Sequence, residues 1–128
     1  MRHLALTILA ALMLLTMASC RRSASEPKEV AEEFYRALIE ERWDDYVSLQ
    51  SNADSMPSDV RRERIDMVRE YMAMEREAHG GLVSAQASSE ALIAPDYAFV
   101  FLTLQWADST NEEILLPLVR VGEEWRVR

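Results

Sequence analysis

The stretch Tyr97-Ala98-Phe99-Val100-Phe101-Leu102-Thr103-Leu104-Gln105-Trp106 has the clearest β-strand pattern in the chain. Aromatic and branched side chains favour a pleated, half-buried segment, and they dominate these ten positions. The two faces of the strand are Tyr97, Phe99, Phe101, Thr103 and Gln105 on one side, and Ala98, Val100, Leu102, Leu104 and Trp106 on the other. Both faces are largely apolar, so the sequence predicts a central strand without showing which face packs against the rest of the domain.

Further strands surround this one and form an antiparallel meander. The predicted strands are 82–93, 97–106, 113–121 and 125–128, with turns at 94–96, 108–111 and 122–123. Pro117 cannot donate a backbone hydrogen bond, which indicates an edge strand or a bulge at that position. The stretch before residue 80 instead repeats its apolar residues with helical spacing.

Three helices are predicted ahead of the meander, at 27–42, 43–49 and 57–79. Pro27 suits a first helical position, because its missing N–H would have no partner there. Gly80 and Gly81 end the third helix, since glycine readily adopts the left-handed conformation of a C-terminal cap. Helices followed by a run of strands predict a single α+β domain at residues 26–128.

The sequence predicts the strands but leaves open part of their register, that is, which residues of neighbouring strands lie opposite each other. A four-residue loop at 108–111 would place Gln105 opposite Ile114 and Phe99 opposite Arg120. At 122–123, a two-residue turn sets Trp125 opposite Arg120, whereas a three-residue loop sets it opposite Val119. The two alternatives reverse every side chain of the last strand, and the sequence leaves both open.

Two segments carry a resemblance to a known superfamily: VAEEFYRAL at residues 30–38 and LVRVGEEWRV at 118–127. With more helix and a meander between them, the chain resembles small lipoproteins of the nuclear transport factor 2-like, or cystatin-like cone, superfamily. This resemblance implies a curved sheet wrapped around a long helix, enclosing a cone-shaped cavity. The superfamily includes isomerases, dehydratases, transport factors and proteins without a known task, so the fold does not indicate one function.

The N-terminal region has the three-part organisation of a secretory signal peptide. Residues 1–3 form a short positive head, residues 4–16 are an apolar run, and the small or unbranched side chains of 17–19 precede Cys20. The segment from Met17 to Cys20 resembles the lipobox of bacterial lipoproteins, which implies cleavage before Cys20 and acylation of its sulfur. We therefore predict a signal peptide at 1–19 and a tether at 20–25; an ordinary signal peptide or an uncleaved anchor are the alternatives.

The residues after Cys20 bear on the location of the protein. Residues 21–25 contain neither an aspartate nor an acidic cluster, and the lipoprotein resemblance then implies the periplasmic face of the outer membrane. Cleavage would remove one basic side chain, Arg2, and no acid, changing the net charge from −8 to −9. A chain this acidic repels phosphate backbones, so we expect no nucleic-acid partner.

Candidate ligand contacts come from the sheet. With the pairing described above, Tyr97, Thr103, Gln105 and Arg120 share one partly aromatic face and could contact a small apolar ligand. No acid or histidine lies in the central strand, which argues against proton-transfer catalysis there. An enclosed cavity in which Tyr35, Tyr46, Tyr71 or Glu90 is buried with a shifted pKa would overturn the non-enzyme interpretation.

The other ionisable residues predict no site. His79, the only histidine after the signal peptide, is expected at the end of the third helix, and a metal site would need further ligands. The acids at 40, 41, 44 and 45 are expected on a solvated face.

The sequence thus predicts a membrane-anchored envelope lipoprotein with a non-catalytic domain that binds a small apolar ligand, a second copy of itself or another envelope protein. We expect no catalytic residues, metal or cofactor. The alternative is a small cone-fold enzyme of the isomerase or dehydratase type acting on an apolar substrate.

Overall fold

The computed structural model describes residues 26–128, so the predicted signal peptide, the tether and Cys20 lie outside the described residues. The elements are α1 (Pro27–Ile39), α2 (Trp43–Ser48), a 3₁₀ turn (Ala53–Ser55), α3 (Ser58–His79), β1 (Leu82–Ala94), β2 (Tyr97–Trp106), β3 (Asn111–Val121) and β4 (Glu124–Val127). The strands form one antiparallel sheet in the order β1-β2-β3-β4. The predicted α+β architecture is confirmed. Within residues 26–128, no helix is long and apolar enough to cross a membrane.

α1 packs across one face of the sheet and contacts β1 most extensively. Its apolar residues recur at helical spacing, so that Val30, Ala31 and Phe34 lie on one side and meet the sheet. The helix ends three residues earlier than predicted, because Glu41 adopts a left-handed backbone conformation with φ of 58°. Burial of α1 against the sheet forms the centre of the core.

The face of β2 that packs against α1 is the one carrying Ala98, Val100, Leu102, Leu104 and Trp106, all of which are buried. The opposite face of β2 points away from the helices and is called here the outer face of the sheet. On it, Phe101 and its cross-strand neighbour Leu115 are 45% and 48% exposed. The structure thus shows which of the two apolar faces of β2 packs against the helices, a choice that the sequence left open.

The pairing of β2 with β3 differs from the prediction. Gln105 lies opposite Asn111 and Phe99 opposite Pro117, so the predicted partners Ile114 and Arg120 are wrong by three positions. An odd displacement reverses the faces of a strand, and it moves Arg120 to the side that faces the helices.

Turn chemistry explains this difference. The Asp108 side chain accepts hydrogen bonds from the Thr110 backbone N–H and hydroxyl, and Ser109 adopts φ of 71°. The Trp106 N–H then donates to the Thr110 carbonyl oxygen (2.9 Å). The loop is thereby shortened, and β3 begins at Asn111 rather than at 113.

A two-residue turn at Gly122 and Glu123 joins β3 to β4 and sets Trp125 opposite Arg120. Trp125 and Val127 consequently face the helices and are buried. The segment after α2 covers the free edge of β4: the Val127 N–H donates to the Leu49 carbonyl oxygen (2.8 Å), and the Ser51 N–H donates to the Val127 carbonyl oxygen (2.7 Å).

α3 is the longest helix, and it packs sparsely: within it, only Val68 and Met72 are buried. Its C-terminal end is fixed to the β2–β3 turn, where His79 Nδ1 lies 2.8 Å from Asp108 Oδ2 and the Asp108 N–H donates to the His79 carbonyl oxygen (3.0 Å). The hydrogen bond to Asp108 raises the pKa of His79. Hydrogen bonds from Thr110 and His79 lower the pKa of Asp108 to about 2. The prediction of His79 as a helix-end residue is correct, and its partner Asp108 was not predicted.

Candidate functional site

A cleft runs between α3 on one side and α1 with the helix-facing side of the sheet on the other. Its deeper part, the inner pocket, encloses about 180 Å³ and includes Leu38, Met72, Leu82, Leu104, Trp106, Glu112 and Ile114 in its lining. Its wider part, the outer groove, measures about 640 Å³ and includes Gln50, Arg64, Met67, Leu116, Val127 and Arg128. Phe34, Tyr46, Val68 and Tyr71 line both parts, so the two parts adjoin each other.

Three tyrosines from three different helices converge on this cleft: Tyr35 of α1, Tyr46 of α2 and Tyr71 of α3. The Phe34 ring fixes the first two, with its centroid 5.4 Å from the Tyr35 ring and 4.5 Å from the Tyr46 ring. The cleft therefore has aromatic walls that carry phenol groups.

Burial raises the pKa of Tyr35 and Tyr46 above the ordinary value, and partial burial raises that of Tyr71, which is still 51% exposed. Nearby Glu112 adds to the rise at Tyr35 and Tyr71, whereas the positive charge of Arg64 opposes it at Tyr46. No hydrogen bond contributes to any of these shifts. At neutral pH the phenols stay protonated, so they can donate hydrogen bonds to a ligand but cannot act as bases.

Arg64 supplies positive charge at the outer groove. Its guanidinium donates to the side-chain amide oxygens of Gln50 and, at 3.3 Å, Asn52. Both partners are neutral, and the charge of Arg64 is therefore left to interact with an anion entering the groove. Gln50 is itself buried and is fixed beside Val127 by the bridge to β4, so it positions Arg64 firmly.

The four predicted ligand contacts do not come together in the structure. Tyr97, Thr103 and Gln105 lie on the outer face of the sheet, away from the cleft. Arg120 lies on the opposite side, near the β3–β4 turn, with its guanidinium carbon 5.6 Å from the centre of the Trp125 ring. Three of the four thus share a face as predicted, and only the placement of Arg120 with them depended on the incorrect pairing of β2 with β3.

Of the residues whose burial in an enclosed cavity would overturn the non-enzyme interpretation, three line the cleft and one does not. The outer groove, which Tyr46 and Tyr71 line, is open to solvent, so the condition is met only in part. Glu90 is exposed near the end of β1, where its carboxylate accepts a hydrogen bond from the Lys28 N–H (3.2 Å). The argument against catalysis from the lack of an acid in β2 also loses its force, because β2 contributes only Leu104 and Trp106 to the cleft. The ionisable groups of the cleft come from the helices, from β3 and from Arg128, which follows β4.

The acids near the end of α1 form ion pairs. The shortest pairing distances are 2.8 Å for Glu40 and 2.7 Å for Asp45, both to Arg42, and 3.2 Å for Glu41 to Arg76 and for Asp44 to Arg61. In residues 26–128 there is no group of three or more acidic, histidine or cysteine side chains suited to a metal ion.

Comparison with known proteins identifies the fold and leaves the family open. No family model matches the chain, and no curated protein matches it. Among solved structures, the chain is similar to a Campylobacter jejuni protein that carries the provisional name NTF2-like transpeptidase, with 18% sequence identity and a TM-score of 0.64 over 80% of this chain and 97% of the other. The predicted nuclear transport factor 2-like cone fold is thereby confirmed.

Proposed function

We propose that the protein is a lipid-anchored envelope protein that binds a small, largely apolar ligand with an anionic or acceptor head group in the cleft, without catalysing a reaction on it. The convergence of three protonated phenols and Arg64 on an apolar, partly enclosed space supports this proposal. Ligand sites in proteins typically combine an apolar lining with a few convergent polar groups.

The chemistry of the cleft defines the class of ligand. Leu38, Met72 and Ile114 would cover an alkyl or aromatic body in the inner pocket. The head group would lie in the outer groove, where Arg64 and the Tyr46 hydroxyl are placed to donate to it. In a domain this acidic, an arginine held by neutral partners is the feature that favours an anion.

Octanoate is a suitable probe of the cleft because it combines an alkyl chain with a carboxylate. We expect the Arg64→Gln variant of residues 21–128 to bind octanoate about tenfold more weakly or worse, since a charged hydrogen bond contributes roughly 1.5–3 kcal/mol. Isothermal titration calorimetry measures the change. In fluorotyrosine-labelled protein, the ¹⁹F signals of Tyr46 and Tyr71 should shift on binding while that of Tyr97, on the outer face, stays in place.

Arg62→Gln is the matched control for this experiment. Arg62 is exposed on the same helix, does not line the cleft, and loses the same charge on substitution. Equal weakening by both substitutions would mean that net charge alone governs octanoate binding, and it would exclude the cleft as the site.

The membrane anchor is tested at Cys20. In an intact bacterial host we expect Cys20→Ser to abolish incorporation of radiolabelled fatty acid, because the variant lacks the sulfur that is acylated. The protein should also be released from membranes, since stable attachment needs two or more acyl chains. Ser19→Ala, which preserves a small residue before the cysteine, should leave labelling intact. Undiminished labelling of the Cys20→Ser variant would contradict the lipoprotein assignment.

The second candidate is an enzyme of the cone fold, and the tyrosines in the cleft favour it. A phenol with a raised pKa could donate a proton or a hydrogen bond to a developing oxyanion, and Glu112, the acid among the residues that line the inner pocket, could serve as a base. Transpeptidase chemistry has less support: neither serine nor cysteine is among the residues that line the inner pocket or the outer groove, so neither part offers the usual nucleophile.

A further inference from the structure

The end of the domain at which the chain enters is formed by two β-hairpin turns and the start of α1. The Lys28 N–H donates to the Glu90 carboxylate (3.2 Å), which fixes the first turn of α1 beside the end of β1. The Arg120 N–H donates to the Asp96 carbonyl oxygen (2.9 Å), which joins the β1–β2 turn to the end of β3. We call this the entry end of the domain.

Two large apolar side chains are exposed together at the entry end. Leu92 is 66% exposed and Ile93, next to it in β1, is 57% exposed. Neighbouring strand residues normally point to opposite faces, but pairing is irregular here: Leu92 lies opposite Ala98 and Ala94 opposite Tyr97, so Ile93 has no cross-strand partner. This bulge leaves an apolar tip at the entry end.

The tether keeps this tip close to the membrane. From Cys20 to Glu26 the chain advances six residues, which span at most about 22 Å when fully extended. The start of α1 lies beside Glu90, about 10 Å along β1 from Ile93 and about 26 Å from Leu82 at the opposite end, so the tip is within reach of the tether and the opposite end is beyond it. An acylated Cys20 would thus hold the entry end next to the bilayer.

We propose that Leu92 and Ile93 insert into the interfacial layer of the lipid bilayer as a second membrane contact. This proposal rests on the lipid anchor of the proposed function. The charged side chains of the entry end are mostly acidic, so they give no attraction to anionic lipid: Glu26, Glu29, Glu90, Asp96 and Glu123, against Lys28 and Arg120. Burial of the two apolar side chains therefore drives the contact, and zwitterionic lipid is the suitable surface. The contact sets the orientation of the domain, with the entry end towards the lipid.

The test uses the full lipidated chain on vesicles of phosphatidylcholine and phosphatidylethanolamine. An Ile93→Cys variant is labelled with the environment-sensitive fluorophore NBD, and a Val83→Cys variant is the matched control, since Val83 lies at the other end of β1 and is 55% exposed. We expect a blue-shifted emission that nitroxide-labelled lipid quenches for the variant at position 93, and neither effect at position 83. Equal emission and equal quenching at both positions would overturn the proposal.

The number of reactive thiols separates this result from failure of the anchor. Cys20 is the only cysteine of the chain, and acylation blocks its sulfur, so each lipidated variant should take up one label. Uptake of two labels would show that Cys20 is free, and both the anchor and the insertion would then be refuted.

A second measurement avoids any effect of an apolar label. In the otherwise unchanged lipidated chain on the same vesicles, amide hydrogen exchange at 92–97 should be slower than in a variant carrying Leu92→Gln and Ile93→Gln, while exchange at 107–110 should be the same in both. The same exchange rate at 92–97 in the two proteins would contradict insertion of the native tip.

Discussion

Replacing Leu102 with alanine is expected to lower the free energy of unfolding by about 3 kcal/mol, within the range of roughly 2–5 kcal/mol found for such substitutions in protein cores. Leu102 is 1% exposed and packs in the main core cluster between the sheet and α1. Truncation leaves a cavity that the surrounding strands cannot close. Urea unfolding followed by circular dichroism, with residues 21–128, measures the loss.

Phe101→Ala is the control for Leu102→Ala because the two residues are neighbours in β2 and point to opposite faces. The Phe101 ring lies on the outer face and remains 45% exposed, so its removal should cost no more than about 1 kcal/mol. The two substitutions could instead lower the free energy of unfolding by similar amounts, with the loss for Phe101→Ala increasing at higher protein concentration. That result would mean that a second copy of the chain covers the outer face.

The sequence was sufficient to predict the succession of three helices and four strands, because each element has a clear apolar period and ends at residues such as Gly80 or Pro95. It was insufficient to choose between the faces of β2, since local pattern distinguishes a buried face from an exposed one only when the two differ in polarity. Packing against α1 makes that choice, and it is a tertiary effect.

The pairing of β2 with β3 depended on a turn whose chemistry was not recognised in the sequence. Asp108 followed by Thr110 can form a turn stabilised by side-chain hydrogen bonds to the backbone. A signal for the correct loop was therefore present. Treating 108–111 as a plain four-residue loop displaced β3 by three positions and placed Arg120 on the wrong face.

The candidate site could be predicted only in part. Tyr35, Tyr46 and Tyr71 were recognised as residues whose burial would matter, but only the packing of α2 and α3 brings them to one cleft. Arg64 carried no signal that separated it from the other arginines of α3. Its distinction is its pair of neutral partners, Gln50 and Asn52, which lie 14 and 12 residues earlier in the chain.

Replacing Trp125 with alanine is expected to lower the free energy of unfolding by about 3–5 kcal/mol, the range typical of a buried aromatic side chain. Trp125 is buried in the main core cluster, although β4 contains only four residues. Its loss should also weaken the pairing of β4 with β3 and with the segment at Leu49. Urea unfolding gives the free energy, and amide hydrogen exchange at Val127 reports the pairing of β4.

Glu124→Ala controls for a general effect of substitution in β4. Glu124 is exposed on the outer face next to Trp125, and its loss removes only a surface ion pair with Arg126 (3.0 Å), so the substitution should cost no more than about 1 kcal/mol. The comparison also tests the turn at Gly122. A three-residue loop would set Trp125 opposite Val119 on the outer face, where truncation of a partly exposed ring costs far less. A loss below about 1 kcal/mol at Trp125 would therefore contradict the two-residue turn, and with it the placement of Val127 against Leu49 that closes the sheet beside the cleft.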